Sequence, residues 1–336
     1  MTLIVSIGGN KHGKTDPYIK KDGVELDLIL LIRTILAATK EIAFRVSQGE
    51  LSGVLGSTLD ENIQGEVQKK LDVLANQLLK DMLSDDDSVR SIASEEEEFV
   101  VPVHSTAPYI VAFDPLDGSS NIDINGQIGT IFTIYRARDD VAANSPEQFA
   151  QLGTEQVCAG YVLYGPSTYL MMTTGGPTRG YTLDLTHGGY LLTVPEVTLS
   201  QDSMEFSANM ANYRYWQEGV QHYFDQVLYS SEDYKDVTMR YNGAMVGDIN
   251  RILIKGGVFH YPSDARAGNE NGKIRLLYEA NPLAMLIEKA GGKATAHGKR
   301  IMALPPTSLH QRVPVVMGSN NLVDEFDKAI FSNSNV

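Results

Sequence analysis

The spacing of apolar residues changes character along the chain. Across residues 26–47, Leu, Ile and Ala recur at three- and four-residue intervals between Asp27, Arg33, Lys40 and Glu41. That period predicts a long amphipathic helix. Residues 49–65 lose the period and are rich in Gly, Ser, Thr, Asp and Asn, which predicts a loop long enough to be functional. A second helix is predicted over residues 66–83, and Asp85, Asp86 and Asp87 form a charged turn after it. Short runs rich in β-branched and aromatic residues, punctuated by Gly or Pro, predict strands over 89–93, 109–113, 128–136, 156–163, 169–173 and 180–185.

The second half alternates more. Helices are predicted over 213–227, 244–255, 282–290 and 321–331, and strands over 257–260, 293–296 and 313–317. This order predicts an α/β fold of the layered α+β kind, with helices alternating with mixed sheets. With 336 residues, about two domains are expected. We place them at 1–197 and 198–336, although no repeat or low-complexity linker marks the division.

Composition narrows the function. The net charge of −14 argues against a general nucleic-acid binder, which needs Lys and Arg to neutralise phosphates. Any phosphorylated substrate must then be met by local cations working against the global field. Cys158 is the only cysteine, so neither an intramolecular disulfide nor a thiolate metal cluster can form. The most apolar stretch, 26–36, contains Asp27 and Arg33 and is too short to span a bilayer. The opening MTLIVSIGGN has too short an apolar run for a signal peptide. A cytoplasmic protein without membrane partners is expected.

The most informative segment is Tyr109-Ile-Val-Ala-Phe-Asp114-Pro115-Leu116-Asp117-Gly118-Ser119-Ser120-Asn121. An apolar strand runs into Asp114, and Pro115, unable to donate to a ladder, is expected to end it. Asp117 follows in the turn, beside Gly118, Ser119 and Ser120. Two hard oxygen donors suit Mg²⁺, and free N–H groups of a Gly-Ser turn suit a phosphate. A bare D-x-x-D-G is usually just a capped turn; the full string is far more specific.

Asp-Pro-Leu-Asp-Gly-Ser-Ser resembles the signature of the lithium-sensitive, magnesium-dependent phosphatase superfamily. The extension Asn121-Ile122-Asp123, with Gly129-Thr130-Ile131-Phe132, resembles its class I fructose-1,6-bisphosphatase branch, and the likeness runs from about residue 23 to 331. The resemblance implies the sugar-phosphatase fold, Mg²⁺ with Mn²⁺ as a substitute, and hydrolysis of a sugar 1-phosphate by metal-activated water. In Ser94-Glu95-Glu96-Glu97-Glu98, it implies that Glu95 bridges metals and that Glu96 activates the water with Asp72, while Glu97 and Glu98 read as a solvated acidic run. Glu66 falls where the family often has Asp, on a third metal site. Asp114, the Leu116 carbonyl, Asp117 and Glu279 complete the implied metal set, although Glu279 also suits a helix cap. The set has no His or Cys, which favours Mg²⁺ or Mn²⁺ over Zn²⁺, and so many acids would repel one another without cations.

For the sugar, the resemblance implies that Gly118, Ser119 and Ser120 hold the 1-phosphate with Arg275, and that Lys273 contacts sugar or phosphate oxygens. Asn209, Tyr213, Arg240, Tyr241 and Tyr261 are candidates for the second phosphate. Gly243 and Met245, in the pattern Arg-Tyr-x-Gly-x-Met, line the furanose pocket. In the family the Arg matching Arg240 comes from a neighbouring subunit, implying a homo-oligomer, a tetramer or at least a dimer.

Some positions depart from the family. AMP-inhibited members open the first helix with Thr-Gly-Glu and carry a Lys-Tyr pair; this chain has Gly23-Val24-Glu25 and Pro108-Tyr109, so weak or absent AMP inhibition is expected. Ser52 replaces an aromatic anchor of the family's mobile loop, and the lone Cys158 leaves no thioredoxin switch. The competing readings are a sedoheptulose-1,7-bisphosphatase or dual-specificity enzyme, an inositol-phosphate phosphatase, and a non-catalytic sugar-phosphate sensor. A Rossmann protein is poorly supported, since no G-x-G-x-x-G follows the first strand.

Overall fold

The computed structural model of the chain describes residues 4–5, 23–53, 55–61, 67–230 and 234–332. Its first half builds one large sheet from β1 (Ile4–Val5), β4 (Val89–Ser94), β5 (Val101–Pro102), β6 (Tyr109–Asp117), β7 (Ile128–Arg136), β8 (Gln156–Tyr164), β9 (Thr168–Thr173), β10 (Arg179–Asp184) and β11 (Gly189–Val194). The order is β1-β11-β10-β9-β8-β7-β6-β4-β5. Only the β4–β6 pair is parallel among the described pairings of this sheet. The remaining two early strands, β2 (Ser57–Glu61) and β3 (Val67–Lys69), form a separate antiparallel pair.

The second sheet follows the order β13-β12-β14-β19-β16-β17. Its members are β12 (Glu205–Ala208), β13 (Thr238–Met239), β14 (Val258–Tyr261), β16 (Lys293–Ala296), β17 (Lys299–Arg300) and β19 (Val315–Gly318). The short strands β15 (Ile274–Arg275) and β18 (Arg312–Val313) pair with each other. Six helices complete the described chain: α1 (Leu26–Gln48), α2 (Lys70–Ser84), α3 (Glu218–Asp225), α4 (Met245–Lys255), α5 (Asn281–Lys289) and α6 (Asn320–Ser332).

The cores show how these pieces stack. Strand side chains alternate between faces. On β7, Phe132 and Ile134 enter the core shared with α1 and α2, whereas Ile131 enters the one shared with α4 and α5. That second core also takes Phe259, Ala294 and Met317 from the second sheet, so α4 and α5 lie between the sheets. Phe206, Val258 and Val316 face the opposite way, onto α3 and α6. The result is five layers: helices, sheet, helices, sheet, helices. Position decides the helix sequences. Helix α5 buries Leu283, Ala284, Met285, Leu286 and Ile287 in succession, as a helix covered on both sides should. Helix α1 keeps one stripe buried and leaves Leu26 and Phe44 exposed. No helix among the described residues is long and apolar enough to cross a membrane.

Four expectations need correction, the first being the loop over 49–65, which holds a 3₁₀ turn (Gly49–Ser52) and strand β2, paired with β3. Strand β6 does not end at Pro115 but continues to Asp117, through a register shift between Asp114 and Asp117. The irregularity tolerates a residue without an N–H, and the Pro115 carbonyl is taken by Thr130 Oγ1 at 2.9 Å. The second helix starts at Lys70, because residues 67–69 are drawn into the β2–β3 pair. The single helix expected over 213–227 is instead a 3₁₀ turn (Met210–Tyr215), helix α3 and a π-helical turn (Gln226–Ser230).

Candidate metal and phosphate site

The parallel neighbours β4 and β6 end side by side, and their carboxyl ends supply the first acids. The Glu95 N–H donates to the Phe113 carbonyl at 3.1 Å, fixing the acidic turn against β6. Asp114 is buried, and its Oδ1 accepts the Leu116 N–H at 2.9 Å. Asp117 Oδ2 accepts the N–H of Val246 at 2.6 Å, in the first turn of α4. Glu279 comes from far along the chain, on the π-helical turn Leu276–Ala280 that leads into α5. One of its oxygens accepts the Arg275 N–H at 2.7 Å. Backbone donors thus orient all three acids, and Asp114, Asp117 and Glu279 bring carboxylate oxygens within 4.8 Å of one another. The Arg275 guanidinium pairs with Glu95 at 3.1 Å.

The electrostatics reflect this crowding. Burial, then the charges of Glu95 and Asp117, push the Asp114 carboxyl well above the usual carboxylate range. Asp117 rises to about 7, mainly through burial, with Glu95 adding to it and the Val246 N–H opposing it. Glu279 rises to about 8, through burial and then the Glu95 charge. Acids placed like this favour a divalent cation as their common partner. The donors are hard oxygens with no His or Cys among them, so the residues present fit Mg²⁺ or Mn²⁺.

These acids form the floor of a cavity of about 340 Å³. Glu95, Glu96, Leu116, Gly118, Ser119 and Ser120 line it from the first sheet, and Asn209, Tyr241, Gly243, Met245, Tyr261, Lys273 and Arg275 from the second half. Gly118 cannot be replaced without strain: its φ is 82°, and a Cβ there would lie 2.3 Å from that of Ala244.

The family models for the N-terminal and the C-terminal domain of fructose-1,6-bisphosphatase match residues 15–195 and 199–331. The chain belongs to the fructose-1,6-bisphosphatase family. It is 68% identical to a class 1 fructose-1,6-bisphosphatase of Pseudoalteromonas translucida, over 96% of this chain and 98% of that one. It is 63% identical to a class 1 fructose-1,6-bisphosphatase of Cellvibrio japonicus, over 92% of this chain and 96% of that one. A crystal structure of Leishmania major fructose-1,6-bisphosphatase in holo form superposes with a TM-score of 0.88 at 39% identity, covering 94% of this chain and 97% of the other. The layered α/β fold is therefore that of fructose-1,6-bisphosphatases.

The other residues singled out by the resemblance to fructose-1,6-bisphosphatases are placed unevenly. Asp72 is buried in the first turn of α2, where its Oδ2 caps the Lys69 N–H at 3.0 Å. It does not line the cavity. Burial, with the nearby charges of Glu96 and Glu95, lifts it to about 7, and its Oδ1 has no hydrogen-bond partner among the described residues. Tyr213 lies outside the cavity lining, with its hydroxyl donating to Asp225 at 2.8 Å and its ring edge-on to Trp216. Arg240 is exposed and off the lining, its guanidinium donating to the Met239 carbonyl at 2.8 Å. Glu66 lies outside the described residues.

Glu97 differs from the solvated reading. It accepts from Asn76 Nδ2 at 2.8 Å and pairs with Lys80, both on α2. Asn76 also accepts from Ser94 Oγ at 2.8 Å, and Ser94 Oγ accepts the Glu96 N–H at 3.3 Å. This network ties the turn bearing Glu95 and Glu96 to the helix bearing Asp72. Asp248, Phe259 and Ile274 also line the cavity, and the sequence alone does not single them out. An aspartate in the first turn of a predicted helix was the one available signal, and the helix dipole already accounts for such a residue.

Proposed function

We propose that the protein hydrolyses the 1-phosphate of D-fructose 1,6-bisphosphate to fructose 6-phosphate and phosphate, a step of gluconeogenesis, using metal-activated water. The observation that carries this reading is the single cavity in which a three-carboxylate floor, the Gly118-Ser119-Ser120 turn and the cations Lys273 and Arg275 meet. Glu95, Asp114, the Leu116 carbonyl, Asp117 and Glu279 hold the metal in this reading, with Glu66 on a further site. When bound, Mg²⁺, or Mn²⁺ in its place, supplies positive charge for the transferred phosphoryl group and the leaving oxygen.

The chain's own groups do the rest. The N–H and hydroxyl groups of residues 118–120 orient the 1-phosphate, and Arg275 neutralises it. Glu96, on the cavity lining, takes the proton of the attacking water, and Asp72, buried off the lining, acts through its charge on Glu96. Lys273, Asn209, Tyr241 and Tyr261 receive the sugar and its second phosphate, and Gly243 and Met245 shape the furanose pocket; Tyr213, off the lining with its hydroxyl on Asp225, is left out of this set.

In this reading the protein is a cytoplasmic homo-oligomer, a tetramer with Arg240 supplied across an interface; the exposure of Arg240 supports that assignment. Residues 1–197 form the domain with most metal ligands, and 198–336 the sugar-binding domain. The test is phosphate release by purified protein from fructose 1,6-bisphosphate with and without Mg²⁺, with sedoheptulose 1,7-bisphosphate as a second substrate. Mg²⁺-dependent release with preference for fructose 1,6-bisphosphate is expected. Release that ignores Mg²⁺, or none, would overturn the proposal.

A further inference from the structure

The turn at 242–245 presents Gly243 and Met245 to the cavity and leads directly into α4. Gly243 has a φ of 77°, so the backbone is irregular there; the helix holds the Ala244 carbonyl, which accepts from the N–H groups of Gly247 and Asp248 at 3.1 Å, but no ladder fixes residues 242 and 243. Hydrogen bonds from outside must do so. The first sheet grips the turn at three points. Asp117 Oδ2 accepts the Val246 N–H, Asn121 Nδ2 donates to the Asn242 carbonyl at 3.1 Å, and Gly118 sits directly against Ala244.

The second sheet grips it through Asp248. This aspartate is 1% exposed, and one of its oxygens gathers three donors. Oδ1 accepts the Asn242 N–H at 3.0 Å, the Asn242 side-chain amide at 3.3 Å and the Ser207 hydroxyl at 2.9 Å. Ser207 lies on β12, so the carboxylate anchors the turn to that strand. Burying a carboxylate is costly unless donors compensate it. Here donors from the turn and from the sheet behind it compensate Oδ1 alone; Oδ2 is buried with no hydrogen-bond partner among the described residues.

We infer that Asp248 is a positioning residue for the sugar, setting the distance between the turn at 242–245 and the carboxylate floor that serves the phosphate. The inference rests on the sugar-bisphosphate reading above. It makes a separable claim: sugar affinity depends on Asp248, whereas affinity for bare phosphate does not. Its acceptor geometry matters more than its charge, because an asparagine offers the same Oδ1 to the same donors.

The test is calorimetric titration of the full-length protein with fructose 6-phosphate and, separately, with inorganic phosphate, both in the presence of Mg²⁺. Asp248→Ala is expected to weaken fructose 6-phosphate by about 10–100-fold, the scale of one or two lost hydrogen bonds with displacement of the turn. It should leave phosphate within about twofold. Asp248→Asn should stay within about threefold of the unmodified protein for both ligands, and Ser207→Ala should show a smaller loss than Asp248→Ala in the same direction. Ser207→Ala keeps the question answerable if Asp248→Ala does not fold. Equal losses for both ligands, or unchanged fructose 6-phosphate affinity in both alanine variants, would overturn the inference. Failure of the unmodified protein to release phosphate from the bisphosphate would count against the proposed reaction instead, and the two ligand affinities would still judge Asp248.

Discussion

The floor and the far wall of the cavity are built on different principles. On the floor, Asp114, Asp117 and Glu279 are each held by a backbone N–H, from Leu116, Val246 and Arg275. Backbone donors at strand ends and helix starts can hardly move, so the acids stay close despite their repulsion. The wall is made of side chains reaching in from irregular segments: Asn209 before a 3₁₀ turn, Tyr241 before a tight turn, and Lys273 beside a two-residue strand. A floor of fixed charge suits phosphoryl chemistry, which depends on preorganised electrostatics. A wall of longer side chains suits recognition, where shape and hydrogen bonds choose the sugar. Floor substitutions should therefore strike the rate and wall substitutions the affinity.

The largest effect should come from removing a floor acid. Asp117→Ala is expected to lower kcat by about 10³-fold or more, since charge stabilisation of several kcal/mol is lost; steady-state kinetics at saturating Mg²⁺ check it. Next, Lys273→Ala should raise KM for the bisphosphate by about 10–100-fold, with a much smaller change in kcat, as expected for a charged hydrogen bond of the wall. A kcat loss as large as that of Asp117→Ala would erase the distinction between floor and wall.

Protons should compete with the cation only on the floor. Asp117 near 7 and Glu279 near 8 hold protons in the folded chain at pH values where the unfolded chain has already released them. The cation-free protein is therefore stabilised at low pH, and loses that contribution as pH rises from about 4 towards these raised values. Cation binding displaces the protons, so Mg²⁺ affinity should weaken by about tenfold or more on going from about pH 8 to about pH 6. Calorimetry at the two pH values measures it, and an affinity flat with pH would contradict the crowded floor.

The smallest effect concerns a site away from the cavity. Glu25 accepts from Arg136 at 2.6 Å and from the Tyr109 hydroxyl at 3.0 Å. Its carboxyl is held below the usual range, first by the Arg136 hydrogen bond and then by Tyr109. With Arg136 already engaged and Val24 and Pro108 at their positions, AMP should change activity by less than about twofold at concentrations near 1 mM, where binding energies of about 4 kcal/mol already register. Titrating activity with AMP checks this, and inhibition at micromolar AMP would refute it.

The floor was half legible in the sequence. The string from Asp114 to Ser120 encodes two acids and the phosphate turn in consecutive residues, so local reading reached them. Glu279 lies far along the chain and reads by itself as a helix cap; only the resemblance pointed to it. The continuation of β6 through Pro115 was illegible because a bulge is set by the neighbouring strand, not by the proline. Residues 67–69 continue a helical pattern in the sequence, and pairing with residues 57–61 overrides that propensity. The sheet order could not be read because β11 and β12 carry weak strand signals, yet β11 pairs with both β1 and β10. Glu97 read as solvent-facing because the sequence does not reveal that Asn76 and Lys80 face it from α2.

Acids from both halves of the chain converge on one cup that fits a divalent ion. A crystal soaked in Mn²⁺ and measured at a wavelength where manganese scatters anomalously tests it most directly. The expected result is an anomalous peak within about 2.5 Å of carboxylate oxygens of Asp114, Asp117 and Glu279 together, at hard-cation bonding distance. Saturating Mn²⁺ with no peak among these three residues, or a peak touching acids of one half alone, would contradict it.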